Sequence, residues 1–217
     1  MISACFFDLD GTLLNTLPTI AHYANSALAE YGIAPIPQER YRYLVGNGAK
    51  LLVERMLRER NVYSPELYTK VYNYYNESYN AAPLVYTEPY PGIPELLAAL
   101  KERGIKLGII SNKPDAAVTE LAAEFFPSVF DWVQGQREGL PLKPDPMTLV
   151  SALDRLGVAP RDAMYVGDSP VDAETGRRAG TGTVGVLWGF RTESEIRDAG
   201  ADAVAAVPSD VLAAAGI

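Results

Sequence analysis

The feature that most constrains the fold of this 217-residue chain is a set of short apolar runs that end abruptly in polar residues. The three clearest are residues 5–7 before Asp8, residues 105–110 before Ser111, and residues 164–166 before Gly167 and Asp168. Short runs without polar alternation are typical of strands buried on both faces of a parallel sheet. The sequence therefore predicts a parallel sheet with polar side chains where its strands end.

Helical stretches separate these strand candidates. The predicted helices cover residues 93–103, 115–125, 146–156 and 171–179, and weaker strands are predicted at 132–133 and 184–187. Alternating strands and helices indicate an α/β fold with right-handed crossovers, here a Rossmann-like three-layer core around a parallel sheet.

Residues 17–84 break this alternation and predict an inserted α-helical domain, with residues 1–16 and 85–217 forming the α/β core. The insert has helical patterns at 18–31, 38–44, 49–59 and 65–79, and no convincing strand. Tyr68, Tyr72, Tyr75 and Tyr79 recur on one helix face. Packing between helices is the favoured role for these tyrosines, and contact with a ligand is the alternative.

The formal charge of −8 disfavours nucleic acid and anionic membranes as partners. An anionic ligand must then be held by local groups. Cys5 is the only cysteine, so no internal disulfide forms, as is usual in a reducing cytoplasm. The first residues lack the basic segment of a signal peptide, and no apolar run approaches the ~20 residues of a membrane span. We expect a cytoplasmic protein.

Two acidic pairs follow buried strands. Asp8 and Asp10 lie two residues apart, and Asp168 and Asp172 lie four apart near a helix start. Carboxylates held close together repel unless a cation or proton lies between them, and oxygen ligands suit Mg²⁺. Each pair alone fits a solvated loop or a helix cap; two pairs after two buried strands predict a metal site.

Two further segments fit phosphate binding. Ser111 and neighbouring N–H groups precede a predicted helix start, where anions bind, although helix capping is an equal alternative. Lys143 lies between prolines in a stiff segment, and such a lysine can neutralise a phosphoryl group; a surface lysine in a loop is the alternative.

Together these four segments resemble the haloacid dehalogenase superfamily, in its phosphatase branch with a helical cap inserted after the first motif. The resemblance runs almost the whole length and is carried by Asp8-Leu9-Asp10-Gly11-Thr12, Ser111, Lys143, and Gly167-Asp168-Ser169 with Asp172. It implies that Asp8 attacks phosphorus to form an aspartyl-phosphate, while Asp10 protonates the leaving alkoxide and then activates water. It implies further that substrate is bound by Thr12, Ser111, Asn112 and Lys143, the last also paired to Asp8.

The same resemblance implies Mg²⁺ as the cofactor. Its ligands would be the carboxylates of Asp8 and Asp168 and the main-chain oxygen of Asp10, with Asp172 as an outer ligand.

The inserted cap is similar to that of bacterial phosphoglycolate phosphatases at residues 42–55. In that family a cap loop closes over the site and helps select the substrate, which here implies roles for Gly46, Asn47, Gly48 and Lys50. A simple turn with Lys50 in solvent is the alternative. Gly176, where relatives usually carry alanine, departs from the family and is expected to weaken its helix slightly.

The expected function is Mg²⁺-dependent hydrolysis of a small phosphorylated metabolite, first of all 2-phosphoglycolate, by a monomer or homodimer. The alternatives within the superfamily are a pyrophosphatase, a nucleotide or sugar-phosphate phosphatase, and a phosphomutase. A non-catalytic binding protein is disfavoured because such a protein would be expected to have lost Asp8 or Asp10, and both are present.

Overall fold

The computed structural model describes residues 2–216, which form two compact units. The chain passes from the first unit to the second between Asn15 and Thr16 and returns between Thr87 and Glu88. The first unit is an α/β domain, and the second contains only helices. Within residues 2–216, every helix is too short or too polar to span a lipid bilayer.

The α/β unit is built on a six-stranded parallel sheet, which confirms the predicted fold class. The strands of this unit are β1 (Ala4–Phe7), β2 (Leu14–Asn15), β3 (Glu88–Pro89), β4 (Lys106–Pro114), β5 (Trp132–Gln136), β6 (Ala163–Gly167), β7 (Gly182–Val186) and β8 (Ala203–Ala205). The sheet order is β5-β4-β1-β6-β7-β8, and β2 pairs separately with β3 in an antiparallel ribbon. The central β1 is buried along its whole length, as its continuous apolar run predicted.

The helices of the two units are numbered here in chain order. The helical unit contains α1 (Leu17–Glu30), α2 (Tyr41–Leu44), α3 (Gly48–Glu59) and α4 (Pro65–Ala81). The α/β unit contains α5 (Ile93–Glu102), α6 (Asp115–Phe125), α7 (Met147–Leu156), α8 (Pro170–Ala179), α9 (Glu193–Asp198) and α10 (Asp210–Ala214). One core cluster joins the sheet to α7 and includes the fully buried rings of Phe6 and Tyr165.

Several details of the α/β unit differ from the prediction, among them the short ribbon of β2 and β3, which was not predicted. β4 continues through the polar residues 111–113 to Pro114, with a shift in its register against β5 after Ile110. We expected the strand to end before Ser111, where the apolar run stops, yet the strand continues and all three polar residues are buried. β8 and α9 were not predicted, since both are short and lack a long apolar pattern.

The helical unit explains the tyrosine stripe on α4. Tyr75 and Tyr79 are buried, and the ring of Tyr79 lies 5.5 Å from that of Tyr23 on α1. The Tyr23 hydroxyl donates to the carbonyl of Ala82 at 2.9 Å. The inner half of the stripe therefore packs between helices, as predicted, while the rings of Tyr68 and Tyr72 stack on each other at 5.8 Å in a half-buried position.

Gly176 allows α8 to lie close against the sheet. A Cβ at this position would lie 2.5 Å from Thr183 Cγ2 and 3.0 Å from Tyr165 Cβ. The expected small weakening of the helix is therefore only part of its effect, because the glycine also makes room for a methyl group of β7.

We predict that Gly176→Ala destabilises the protein although alanine favours helices. The gain of about 1 kcal/mol in helix propensity is outweighed by about 1–3 kcal/mol of overpacking. In the Thr183→Ser background, which removes the methyl group but keeps the hydroxyl hydrogen-bonded to Asp202 at 2.8 Å, the alanine should cost less, because only the contact with Tyr165 Cβ at 3.0 Å and that with Thr181 Oγ1 at 3.1 Å remain. Thermal unfolding of the four proteins of this cycle tests the prediction; an equal effect of the alanine in both backgrounds would contradict it.

Candidate active site

The candidate active site lies where the three central strands of the sheet end. β1 lies between β4 and β6, and the chain runs from β1 to β4 and β5 on one side before it crosses to β6 on the other. Such a switch point at the carboxyl edge of an open parallel sheet is the usual ligand site of α/β domains. Asp8 follows β1, Ser111 lies in the last part of β4, and Asp168 follows β6.

Three acids converge at this edge. Asp8, Asp168 and Asp172 each offer a carboxylate oxygen, and these oxygens lie within 4.8 Å of one another. The pKa of Asp8 is raised to about 6: burial is the largest cause, the Asp172 and Asp10 charges also raise it, and Lys143 lowers it. Burial, Asp172 and Asp8 likewise raise the pKa of Asp168. Ionising Asp8 and Asp168 together is therefore unfavourable without a nearby cation.

Close backbone approach fixes the position of Asp168. Its Oδ2 accepts a hydrogen bond from the N–H of Phe190 at 2.6 Å. A Cβ on Gly11, whose φ is +83°, would lie 2.4 Å from this same oxygen, and one on Gly189 would lie 2.2 Å from Asp168 Cβ. The absence of side chains at these two glycines lets the main chain surround the carboxylate.

Lys143 supplies a buried positive charge to the acids. Its Nζ lies 2.7 Å from Asp172 Oδ1, 3.0 Å from Asp8 Oδ1 and 3.0 Å from the Tyr165 hydroxyl. Burial by itself would lower the pKa of Lys143, but the carboxylates of Asp172 and Asp8 outweigh burial and raise it. The lysine is thus held as an ammonium ion that donates hydrogen bonds to Asp172 and Tyr165 and forms an ion pair with Asp8.

The main chain at Lys143 is held by Asn112. The Asn112 amide donates from Nδ2 to the Lys143 carbonyl at 3.1 Å and accepts from the Lys143 N–H at 2.8 Å. Ser111 is also buried, and its hydroxyl accepts a long hydrogen bond of 3.4 Å from the N–H of Lys113. The structure therefore places Asn112 on the backbone of Lys143; contact of Ser111 and Asn112 with phosphate stays a prediction.

Asp10 has a different partner from the other acids. Lys113 Nζ lies 2.9 Å from Asp10 Oδ1 and 3.1 Å from Oδ2, and the two side chains are 5% and 19% exposed. The carboxylate of Asp10 is not part of the three-acid cluster found among residues 2–216. A metal contact of Asp10 through its main-chain oxygen stays a prediction.

Two buried oxygens at the site lack hydrogen-bond donors. Among residues 2–216, no group donates a hydrogen bond of good geometry to Asp8 Oδ1 or Thr12 Oγ1. Buried polar atoms are normally satisfied by protein, water or ligand. The carbonyl of Thr12 does accept a hydrogen bond, from Trp188 Nε1 at 2.9 Å.

The donor set fits a hard divalent cation. Asp8, Asp168 and Asp172 offer only oxygen ligands, Asp8 retains an oxygen without a hydrogen-bond donor, and burial holds the pKa of Asp8 and Asp168 above the usual range. Mg²⁺ requires oxygen ligands and is usually bound by one or two carboxylates together with waters and substrate oxygens. Asp172 already accepts from Lys143 and Ser169, so its suitability as an outer ligand agrees with its contacts.

Comparisons with known proteins show which family the chain belongs to. The family model described as haloacid dehalogenase-like hydrolase matches residues 5–186. The chain belongs to this family. A phosphoglycolate phosphatase from Nitrosospira multiformis is 37% identical over 96% of the chain and 92% of its own length.

Two further relatives show the range of this family. An N-acetylmuramic acid 6-phosphate phosphatase from Pseudomonas aeruginosa is 31% identical over 97% of this chain and 93% of its own length. The solved structure of a proposed phosphoglycolate phosphatase from Lactobacillus delbrueckii subsp. bulgaricus superposes with a TM-score of 0.93, 28% identity and 98% coverage of both chains. This haloacid dehalogenase-like hydrolase therefore has relatives named for different phosphate esters.

The cap-loop residues of this hydrolase lie at the start of α3. Asn47 precedes the helix, and Gly46 and Gly48 have φ values of +108° and +83°. Asn47 Oδ1 accepts from Arg55 Nη2 at 2.8 Å, and Arg55 Nη1 donates to the Leu44 carbonyl at 2.9 Å. Lys50 is exposed in the first turn of α3. The loop is therefore held by Arg55, a contact that the sequence did not suggest.

The sequence also missed Lys113 and Tyr165 as site residues. The local sequence predicts Lys113 to be a polar residue after the end of a strand, and it predicts Tyr165 to be part of an apolar strand. A signal for Lys113 was nevertheless present, because residues two apart in an extended strand lie on the same side and would associate Lys113 with Ser111. For Tyr165 the sequence contains no comparable signal.

Proposed function

We propose that this hydrolase is a Mg²⁺-dependent phosphatase that hydrolyses small phosphate monoesters through an aspartyl-phosphate on Asp8. The observation that carries the proposal is the buried arrangement of Asp8 beside Lys143, Asp168 and Asp172 at the carboxyl edge of the sheet. It is supported by the family match and by the phosphatases among the relatives.

Each of the site residues has a separate role in the proposed reaction. Asp8 attacks phosphorus, and Asp10 donates a proton to the leaving alkoxide and then takes one from the water that hydrolyses the aspartyl-phosphate. Lys143, whose ammonium is maintained by Asp172, orients Asp8 and offsets negative charge at the phosphoryl group. Asn112 keeps the backbone of Lys143 in place for this role.

Bound Mg²⁺ would be held by Asp8 and Asp168, with Asp172 behind them and the main-chain oxygen of Asp10 as a further ligand. When bound, the ion supplies charge neutralisation and orientation for the phosphoryl oxygens. Thr12 and Ser111 are proposed to contact the phosphoryl group. The buried hydroxyl of Thr12, which lacks a donor among residues 2–216, is consistent with a ligand nearby.

The first candidate substrate is 2-phosphoglycolate. It is supported by the phosphoglycolate phosphatases among the relatives at 35% and 37% identity. Phosphorylated sugars are the second candidate, supported by the relative named for N-acetylmuramic acid 6-phosphate. In either case residues 1–16 and 85–217 are the proposed catalytic core and residues 17–84 the proposed cap. Gly46, Asn47, Gly48 and Lys50 are the proposed substrate-selecting loop.

A panel of esters tests the function and ranks the candidates. We expect phosphate release from 2-phosphoglycolate with a higher kcat/KM than from N-acetylmuramic acid 6-phosphate, pyrophosphate, nucleoside monophosphates and hexose phosphates. Asp154→Asn, on the exposed face of α7, is a suitable control for charge loss away from the site. No release from any ester in the presence of Mg²⁺ would refute the proposed phosphatase, and a different best ester would refute the first candidate.

A further inference from the structure

Lys113 is a second buried ammonium group at the site, and the proposed chemistry gives it no role. It lies near the end of β4, is 7% exposed, and contacts both oxygens of Asp10 at 2.9 and 3.1 Å. Burying a lysine at the edge of a ligand site costs free energy in desolvation and side-chain entropy, and an exposed residue would avoid this cost. Solubility, which an exposed lysine would also provide, therefore does not explain why Lys113 is buried.

We propose that Lys113 determines specificity by recognising a negatively charged group on the leaving alcohol of the substrate. The inference rests on the proposed phosphatase function and deepens it by naming the substrate class: phosphate monoesters whose alcohol carries a carboxylate or another anion near the ester oxygen.

The geometry of in-line displacement places the leaving alcohol of the substrate near Lys113. The attacking oxygen, phosphorus and the leaving oxygen lie roughly in line, so the leaving oxygen is on the side of phosphorus opposite Asp8. Asp10, as the proposed proton donor, must be within hydrogen-bond distance of that oxygen. Because Lys113 Nζ contacts the Asp10 carboxylate, the alcohol attached to the leaving oxygen must lie near this ammonium.

Charge distribution favours Lys113 over Lys143 for this task. Lys143 already contacts Asp172, Asp8 and the Tyr165 hydroxyl, and its charge lies on the nucleophile side. With Mg²⁺ bound, four carboxylates are balanced by two ammonium groups and the ion, so the dianionic phosphoryl group already makes the occupied site negative, and the whole chain carries a formal charge of −8. An additional anion on the substrate would thus be repelled unless a cation lies close to it.

Burial makes such a contact strong. An ion pair with an exposed lysine such as Lys50 is weakened by water and salt. A charge-assisted hydrogen bond in a site from which water is largely excluded is stronger and more selective. In 2-phosphoglycolate only one carbon separates the ester oxygen from the carboxylate, which matches the short distance between Asp10 and Lys113.

A matched pair of substrates tests the inference. 2-Hydroxyethyl phosphate has nearly the size and shape of 2-phosphoglycolate but an uncharged hydroxymethyl group in place of the carboxylate. We expect wild-type protein to prefer 2-phosphoglycolate in kcat/KM by at least about tenfold. In Lys113→Met this ratio should fall by about 10- to 100-fold, beyond any loss common to both esters.

Three variants serve as controls. Lys113→Arg keeps the charge and should keep most of the preference. Lys106→Met removes a lysine from the exposed start of the same strand and should leave the ratio unchanged. Lys50→Met tests whether Lys50 of the cap loop, rather than Lys113, recognises the anion on the alcohol. Circular dichroism and thermal unfolding of each variant show whether it is folded.

The outcomes separate a specificity role from a structural one. If Lys113 only holds Asp10 in place, Lys113→Met slows both esters equally and the unchanged ratio overturns the inference. A wild-type ratio near one, or a ratio that collapses in Lys50→Met alone, also overturns it, and neither result depends on the folding of a Lys113 variant. If the wild-type protein hydrolyses neither these two esters nor an aryl phosphate, the proposed function fails as well, which is a different result from hydrolysis without preference.

Discussion

Asp8→Asn should reduce phosphate release by at least about 10³-fold while leaving the protein folded. An amide is not a nucleophile toward phosphorus, and replacing a covalent nucleophile removes the main reaction path. Asn is nearly isosteric with Asp, and Lys143 keeps its contacts with Asp172 and Tyr165. Steady-state kinetics with 2-phosphoglycolate measure the loss. Near-normal activity in this variant, with Asp154→Asn unchanged, would show that Asp8 does not form the proposed intermediate.

The same substitution should stabilise the metal-free protein at neutral pH. The pKa of Asp8 is raised from 3.8 to about 6, chiefly by burial, so the folded state binds more protons than the unfolded state between these values. The free energy of unfolding therefore falls as pH rises from about 4 to 6, by up to about 3 kcal/mol from this group. Asp8→Asn removes this dependence, so its advantage in thermal stability in chelator should be present at pH 7 and disappear near pH 4. A variant that is equally stable at both pH values, or less stable at pH 7, would contradict this account.

Removal of divalent cations should abolish turnover, and Mg²⁺ should restore it. Three carboxylates within 4.8 Å of one another repel without a cation, and the phosphoryl oxygens would add further negative charge. Excess Ca²⁺ should inhibit because it prefers a larger and looser ligand shell. Turnover that persists after treatment with chelator would refute the proposed metal dependence.

A measurement independent of activity can locate the metal. A ligand at 100 times its Kd stabilises the folded state by about 2.7 kcal/mol, which for a chain of this size raises Tm by roughly 5–10 °C. We expect such a rise with Mg²⁺ for the wild-type protein and for Asp154→Asn, and little rise for Asp168→Asn. An equal rise in all three proteins would place the cation somewhere other than the three-acid cluster.

The main features of the fold could be predicted because they depend on local patterns. Each short apolar run became a buried strand of the parallel sheet, and α6 has the bounds predicted for it. The carboxyl ends of adjacent parallel strands necessarily meet at one edge, so Asp8 and Asp168 could be placed together although 160 residues separate them in the chain. Strand β8 could not be predicted, because three small residues carry no periodic signal.

The pairing of charges within the site could not be predicted in this way. Residues 111–113 appear polar in the sequence, yet β4 continues through them and buries them. Period-two alternation in this extension directs Lys113 to Asp10 and Asn112 to the backbone of Lys143, partners 103 and 31 residues away. Likewise, the closest contact of a side chain at position 176 would be with a methyl group on β7.

The sequence by itself determined which acids and lysines are available and at which edge of the sheet most of them lie, because strand order and direction follow from hydrophobic pattern and chain connectivity. Only the tertiary structure decided which ammonium group neutralises which carboxylate. Such pairing depends on distances of about 3 Å between side chains from distant parts of the chain, and a shift of one residue in β4 would turn Lys113 to the other face of the sheet, away from Asp10.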